Sequence, residues 1–89
     1  MNGFVYILES QKNKKYYVGS SKNVTRRLRA HNNGKVCSTR HLVPWKLVFY
    51  QKFDTLLQAK QIERKLKQFK RKDFLRKIVK EGKIKTMGA

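Results

Sequence analysis

The stretch that decides the fold is "YYVGSSKNVTRRLRAHNNG", Tyr16 to Gly34. Its first residues alternate as a β-strand does, with Tyr17 and Gly19 on one face and Tyr16 and Val18 on the other. From Ser21 or Asn23 the period changes. Either residue suits a helix N-cap, Val24 and Leu28 lie one turn apart, and "NNG" is a stop signal, so a helix of two to three turns follows the strand. On that helix positions 24, 27, 28 and 31 form one continuous stripe, and two of the four are Arg27 and His31. An arginine can lay its aliphatic stem over a sheet, and a histidine near a helix C-terminus favours the helix dipole, so each residue alone has an ordinary structural reading.

Working outward, "FVYILES" (Phe4 to Ser10) is rich in β-branched and aromatic residues and is joined by "QKNKK" to the strand at 16, which predicts an antiparallel hairpin. Phe4, Tyr6 and Leu8 point one way and Val5 and Ile7 the other. Beyond the helix, "KVCSTRHLVP" keeps neither period and reads as a loop, and "WKLVFYQKF" (Trp45 to Phe53) reads as a third strand. Asp54 or Thr55 can cap a second helix, whose apolar positions Leu56, Ala59, Ile62, Leu66 and Phe69 recur at helical spacing. A shorter third helix runs from about Lys72 to Glu81 and stops near Gly82. The order β-β-α-β-α-α predicts an α+β fold, a small three-stranded antiparallel sheet flanked by helices. It forms one domain over residues 1–82, with a frayed tail over 83–89.

The 89 residues carry 23 Lys and Arg against 5 Asp and Glu, a formal charge of +18. Self-repulsion of that size favours a polyanionic partner, and nucleic acid is the obvious one. A single cysteine, Cys37, rules out an internal disulfide and a multi-cysteine zinc site. No apolar run approaches a membrane span and no signal peptide is evident, so a cytoplasmic protein is expected. Against the basic background Glu63 stands out. It lies at the edge of the stripe made by Ala59, Ile62 and Leu66, where it can pair with a neighbouring lysine or with Arg27, or hold a hard divalent cation. Tyr6 and Tyr17 fall on adjacent strands within cross-strand reach. Two phenols, a guanidinium, an imidazole and a carboxylate are thus expected on one side of the sheet. Gly19 there would let another backbone or a phosphate approach closely.

The chain resembles the GIY-YIG nuclease superfamily, particularly its small stand-alone bacterial members. The likeness rests on "VYI" at 5–7, "YVG" at 17–19, the following "SSKNVTRRLRAHNNG" and "AKQIERKLK" at 59–67, with an arginine eight residues after the glycine. Phe4 stands where the first glycine of the family's name would be, and "FKRKDFLRKIVK" has no asparagine where some members carry one. The resemblance implies an endonuclease that hydrolyses DNA phosphodiesters with one divalent cation, Mg²⁺ or Mn²⁺, in a setting such as DNA repair or recombination. It carries the paired tyrosines onto Tyr6 and Tyr17, the helix arginine onto Arg27, the family histidine onto His31 and the metal-binding glutamate onto Glu63. In that scheme Arg27 grips a nonbridging phosphate oxygen and Tyr6 orients its neighbour, while either Tyr17 or His31 acts as general base. Lys22, Arg26, Arg40 and Lys46 flank the site as expected phosphate contacts. A catalytically silent nucleic-acid-binding module is the alternative, with an RNA-directed protein of the translation apparatus behind it. A protein partner for targeting and the oligomeric state are left open by the sequence.

Overall fold

The computed structural model describes residues 2–37, 39–69 and 72–82; the tail expected over 83–89 lies outside them. Three strands, β1 (Gly3–Ser10), β2 (Tyr16–Ser21) and β3 (Trp45–Phe53), form one antiparallel sheet in the order β2-β1-β3. The helices are α1 (Val24–Asn32), α2 (Leu56–Phe69) and α3 (Lys72–Glu81), with a single 3-10 turn at Arg40–Leu42. This is the α+β order expected from the sequence.

Local chemistry sets the boundaries. In the β1–β2 turn the Ser10 hydroxyl accepts from the backbone N–H groups of Lys12 and Asn13. Asn23 starts α1 by accepting from the Arg26 N–H, and Thr55 starts α2 by accepting from the Gln58 N–H. Each such cap stabilises by about 1 kcal/mol. Gly34 and Gly82, both at positive φ, close α1 and α3.

Helices cover both faces of the sheet. On one face Val5, Ile7, Val18 and Phe49 pack against Ala59, Ile62 and Leu66 of α2 and against Leu75 and Ile78 of α3. On the other, Tyr6, Leu8 and Trp45 pack against Val24 of α1, with Phe4, Tyr17, Leu28 and Leu47 around them. Strict alternation along β3 would send Trp45, Leu47 and Phe49 to one face. A bulge changes that, because Ile7 faces Phe49 while Leu8 faces Leu47, so Val48 is the extra residue. Phe49 thereby turns towards α2, and Tyr50 comes to lie opposite Tyr6, on the α1 face.

Candidate active site

Tyr6 pairs with Gly19 and Leu8 with Tyr17, so the two tyrosines are diagonal neighbours on the α1 face. Gly19 admits a close neighbour within the fold itself. A Cβ at this position would stand 2.5 Å from both Cζ and Oη of Tyr6, so the close approach that glycine permits is that of the Tyr6 ring.

His31, in the last turn of α1, is wholly buried. Its Nδ1 lies 2.8 Å from Oγ1 of Thr39 and its Nε2 lies 3.1 Å from the Tyr6 hydroxyl. Thr39 directs its own hydroxyl at the Val36 carbonyl, so it accepts from His31 Nδ1–H, and Nε2 is left to accept the Tyr6 proton. Trp45 anchors the loop that carries Thr39. Its indole N–H donates to the Thr39 carbonyl, while Asn32 bonds the Trp45 backbone N–H and carbonyl at 2.6 and 3.1 Å. The Tyr17 ring meets the imidazole edge-on, with centroids 4.9 Å apart, and remains half-buried.

Burial holds the Tyr6 phenol above its ordinary range, opposed in part by the Arg27 guanidinium beside it. Burial, and secondarily the positive charge of Arg27, brings His31 down to about 4. The unfolded chain takes up this proton near pH 6.5 and the native protein does so only near 4, so the native state loses stability as pH falls through that window and has its full share above it. The whole effect is on the order of 3 kcal/mol. Urea titrations of a His31→Gln variant are therefore expected to show a flatter dependence on pH between 6.5 and 4 than the parent; an unchanged slope contradicts the assignment.

Glu63 corrects the expectation that all five groups share one side of the sheet. Strand alternation turns Ser20 towards α2, and burial of Ala59, Ile62 and Leu66 brings the adjacent Glu63 to the same place. There Glu63 accepts a hydrogen bond from the Ser20 hydroxyl and pairs with Lys67 at 2.6 Å. Because β2 is an edge strand, the two faces communicate around it: the Lys67 ammonium lies 5.4 Å from the centroid of the Tyr17 ring. The Glu63 charge is also close enough to disfavour ionisation of Tyr6. Tyr6, Tyr17, Arg27 and His31 thus gather on the α1 face, and Glu63 joins them across the β2 edge.

Ser20, Thr39 and Lys67 were not singled out from sequence. Lys67, four residues after Glu63, carried the spacing of a helical ion pair; Ser20 and Thr39 carried no comparable signal. Lys22, Arg26, Arg40 and Lys46 are all exposed. Lys22 and Arg26 flank the start of α1, Arg40 opens the 3-10 turn, and Lys46, opposite Glu9, alternates onto the face away from the tyrosines. Cys37 is exposed in the loop. Among the described residues no helix is long and apolar enough to cross a membrane.

A UPF0213 protein of Listeria welshimeri is 37% identical over 71 residues, which cover 79% of this chain and 78% of that protein. One from Clostridium perfringens is 36% identical over 76 residues, covering 84% and 81%. The solution NMR structure of a UPF0213 protein from Bacillus halodurans superposes with a TM-score of 0.57 at 31% identity, covering 92% of this chain and 87% of that one. The model of the GIY-YIG catalytic domain matches residues 2–78. With that match spanning nearly all of the sheet and its helices, the chain belongs to the GIY-YIG catalytic domain family.

Proposed function

We propose that the protein is a metal-dependent endonuclease that hydrolyses DNA phosphodiester bonds at the β2 edge. The observation that carries this reading is the meeting of two tyrosines, a guanidinium and a carboxylate around one strand, in a chain of the GIY-YIG family. Cleavage requires a deprotonated water, neutralised phosphoryl oxygens and a stabilised leaving oxygen. Arg27 binds a nonbridging oxygen through charge-assisted hydrogen bonds. Tyr17, whose side chain is partly exposed, takes the proton of the attacking water. The burial of His31, with both ring nitrogens engaged, argues against its meeting that water directly; it acts through Tyr6, whose hydroxyl proton it accepts.

Among the described residues no three His, Cys, Asp or Glu side chains cluster. The donor set is one carboxylate beside a hydroxyl, which fits Mg²⁺ or Mn²⁺ bound through a single protein carboxylate, with water and substrate phosphate completing the shell. Bound at Glu63, that ion would supply positive charge to the phosphoryl and leaving oxygens. Lys67 must then give up its contact with Glu63, and it remains beside Tyr17 as a second positive charge for the substrate.

Supercoiled plasmid incubated with the protein and Mg²⁺ or Mn²⁺ is expected to be nicked, and chelator is expected to stop the nicking. The same Glu63–Lys67 pair favours the second reading, a binding module with its carboxylate already engaged. Binding that survives chelator, with no nicking under either metal, selects that reading.

A further inference from the structure

Away from the tyrosine–histidine cluster, the α1 face of the sheet carries an aromatic surface that the proposed chemistry does not use. Tyr50 is 59% exposed; the other large apolar side chain as open to solvent among the described residues, Leu57, lies on α2. The Tyr50 ring stands 6.3 Å from that of Phe4, inclined at 60°. Between them and the start of α1 is an open cavity of about 380 Å³, whose lining includes Phe4, Lys22, Val24, Leu47 and Tyr50 beside the polar Asn23 and Thr25. That volume is within the usual range of small-molecule sites. Lys52, paired with Phe4 and two residues beyond Tyr50, is exposed on the same face. Lys22, at the cavity, and Lys52, beside Phe4 on β3, are thus the basic residues nearest in the fold to this open ring.

An aromatic face with basic neighbours is the chemistry that holds an unpaired base, the ring taking the base by stacking and the cations taking its phosphates. Duplex DNA keeps its base faces inside the stack, so such a platform is of use only for a base outside it. The platform lies on β3, across the central strand from the β2 edge. Tyr50 lies directly opposite Tyr6, their Cα atoms about 5 Å apart across the two strands, and Arg27 is beside Tyr6. A strand with a base on Tyr50 would have to cross β1 to bring a phosphate to Arg27 beside Tyr6. We propose that Tyr50 and Phe4, flanked by Lys22 and Lys52, form a stacking site for an unpaired DNA base, which makes DNA with a single-stranded or displaced segment the preferred substrate. The choice of DNA rests on the nuclease reading above, whereas the stacking itself does not.

The test is binding in chelator, so that it is independent of cleavage. A single-stranded DNA oligonucleotide containing 2-aminopurine, and a blunt duplex of the same sequence, are titrated with the parent, Tyr50→Ala, Tyr50→Trp and the double variant Lys22→Gln/Lys52→Gln. Tyr50→Ala is expected to weaken single-strand binding roughly 5- to 150-fold, to leave duplex binding within about twofold, and to abolish quenching of the 2-aminopurine. Tyr50→Trp restores binding and quenching. The lysine double variant lowers the salt dependence of single-strand binding by about 1.4 in the log–log slope. Since Tyr50 is exposed, melting temperatures should coincide. Equal loss on duplex and single strand, unchanged quenching in Tyr50→Ala, or tighter Tyr50-dependent binding of the RNA version overturns the proposal. Absence of nicking with stacking intact would instead count against the nuclease reading alone.

Discussion

Exchange of Glu63 for glutamine is expected to lower plasmid nicking by roughly 10²- to 10³-fold, the scale on which loss of one group stabilising transition-state charge is felt. Glutamine keeps the size of the side chain and an oxygen that can accept from Ser20, so the fold has little to lose. It removes the formal charge that Lys67 contacts at 2.6 Å and that a divalent cation would need. DNA binding measured without metal should be unchanged or slightly tighter, since one repulsive charge has gone. Melting should stay close to that of the parent, because the Lys67–Glu63 pair is partly exposed and such helical pairs contribute only about 0.3–0.5 kcal/mol. Full activity in this variant would detach Glu63 from the chemistry, and an unfolded variant would show that Ser20 and Lys67 hold α2 more firmly than this estimate allows.

The second large effect is expected at Gly19. In Gly19→Ala the new methyl meets the ring and hydroxyl of Tyr6 at 2.5 Å. Tyr6 is 1% exposed, and its hydroxyl is tied to His31, so the ring has no free space to swing into. Overpacking of this kind costs about 1–3 kcal/mol. In a domain of this size that lowers the melting temperature by roughly 5–20 °C. Nicking should fall as well, since Tyr6 is driven off His31. The clash is specific to one pair, so a double-mutant cycle with Tyr6→Ala should be strongly non-additive: after loss of the ring, the alanine at 19 has little further effect. Additive losses would mean that the glycine is needed by its own backbone and not by Tyr6.

Most of the architecture was legible because each element is amphipathic at its own period. β3 and α3 fall within the bounds that alternation and helical spacing indicated, and Asn23 and Thr55 cap the helices they precede. Alternation likewise sorted Tyr6, Tyr17 and Gly19 onto one face. It does not say which helix covers a face, and for that reason Glu63 was expected beside the tyrosines although α2 packs on the other side. The bulge at Val48 was hidden for a similar reason: "WKLVFYQKF" reads as an unbroken strand, and only its pairing with β1 exposes the extra residue. Thr39 was equally unreadable. Its meaning comes from contacts with His31, eight residues before, and Trp45, six after, in a loop with no period to follow.

The assembly of the site from two helical layers ties it to the fold as a whole. The tyrosine–histidine cluster is locked by α1 and the Trp45 loop, whereas the carboxylate arrives on α2, seated against the opposite face. If α2 moved off the sheet, Glu63 would leave the tyrosines, and Val5, Ile7, Val18 and Phe49 would lose their cover at the same moment. The seat of the carboxylate and the closure of the larger half of the core are therefore one packing event, and Glu63 is in place only while the domain is whole.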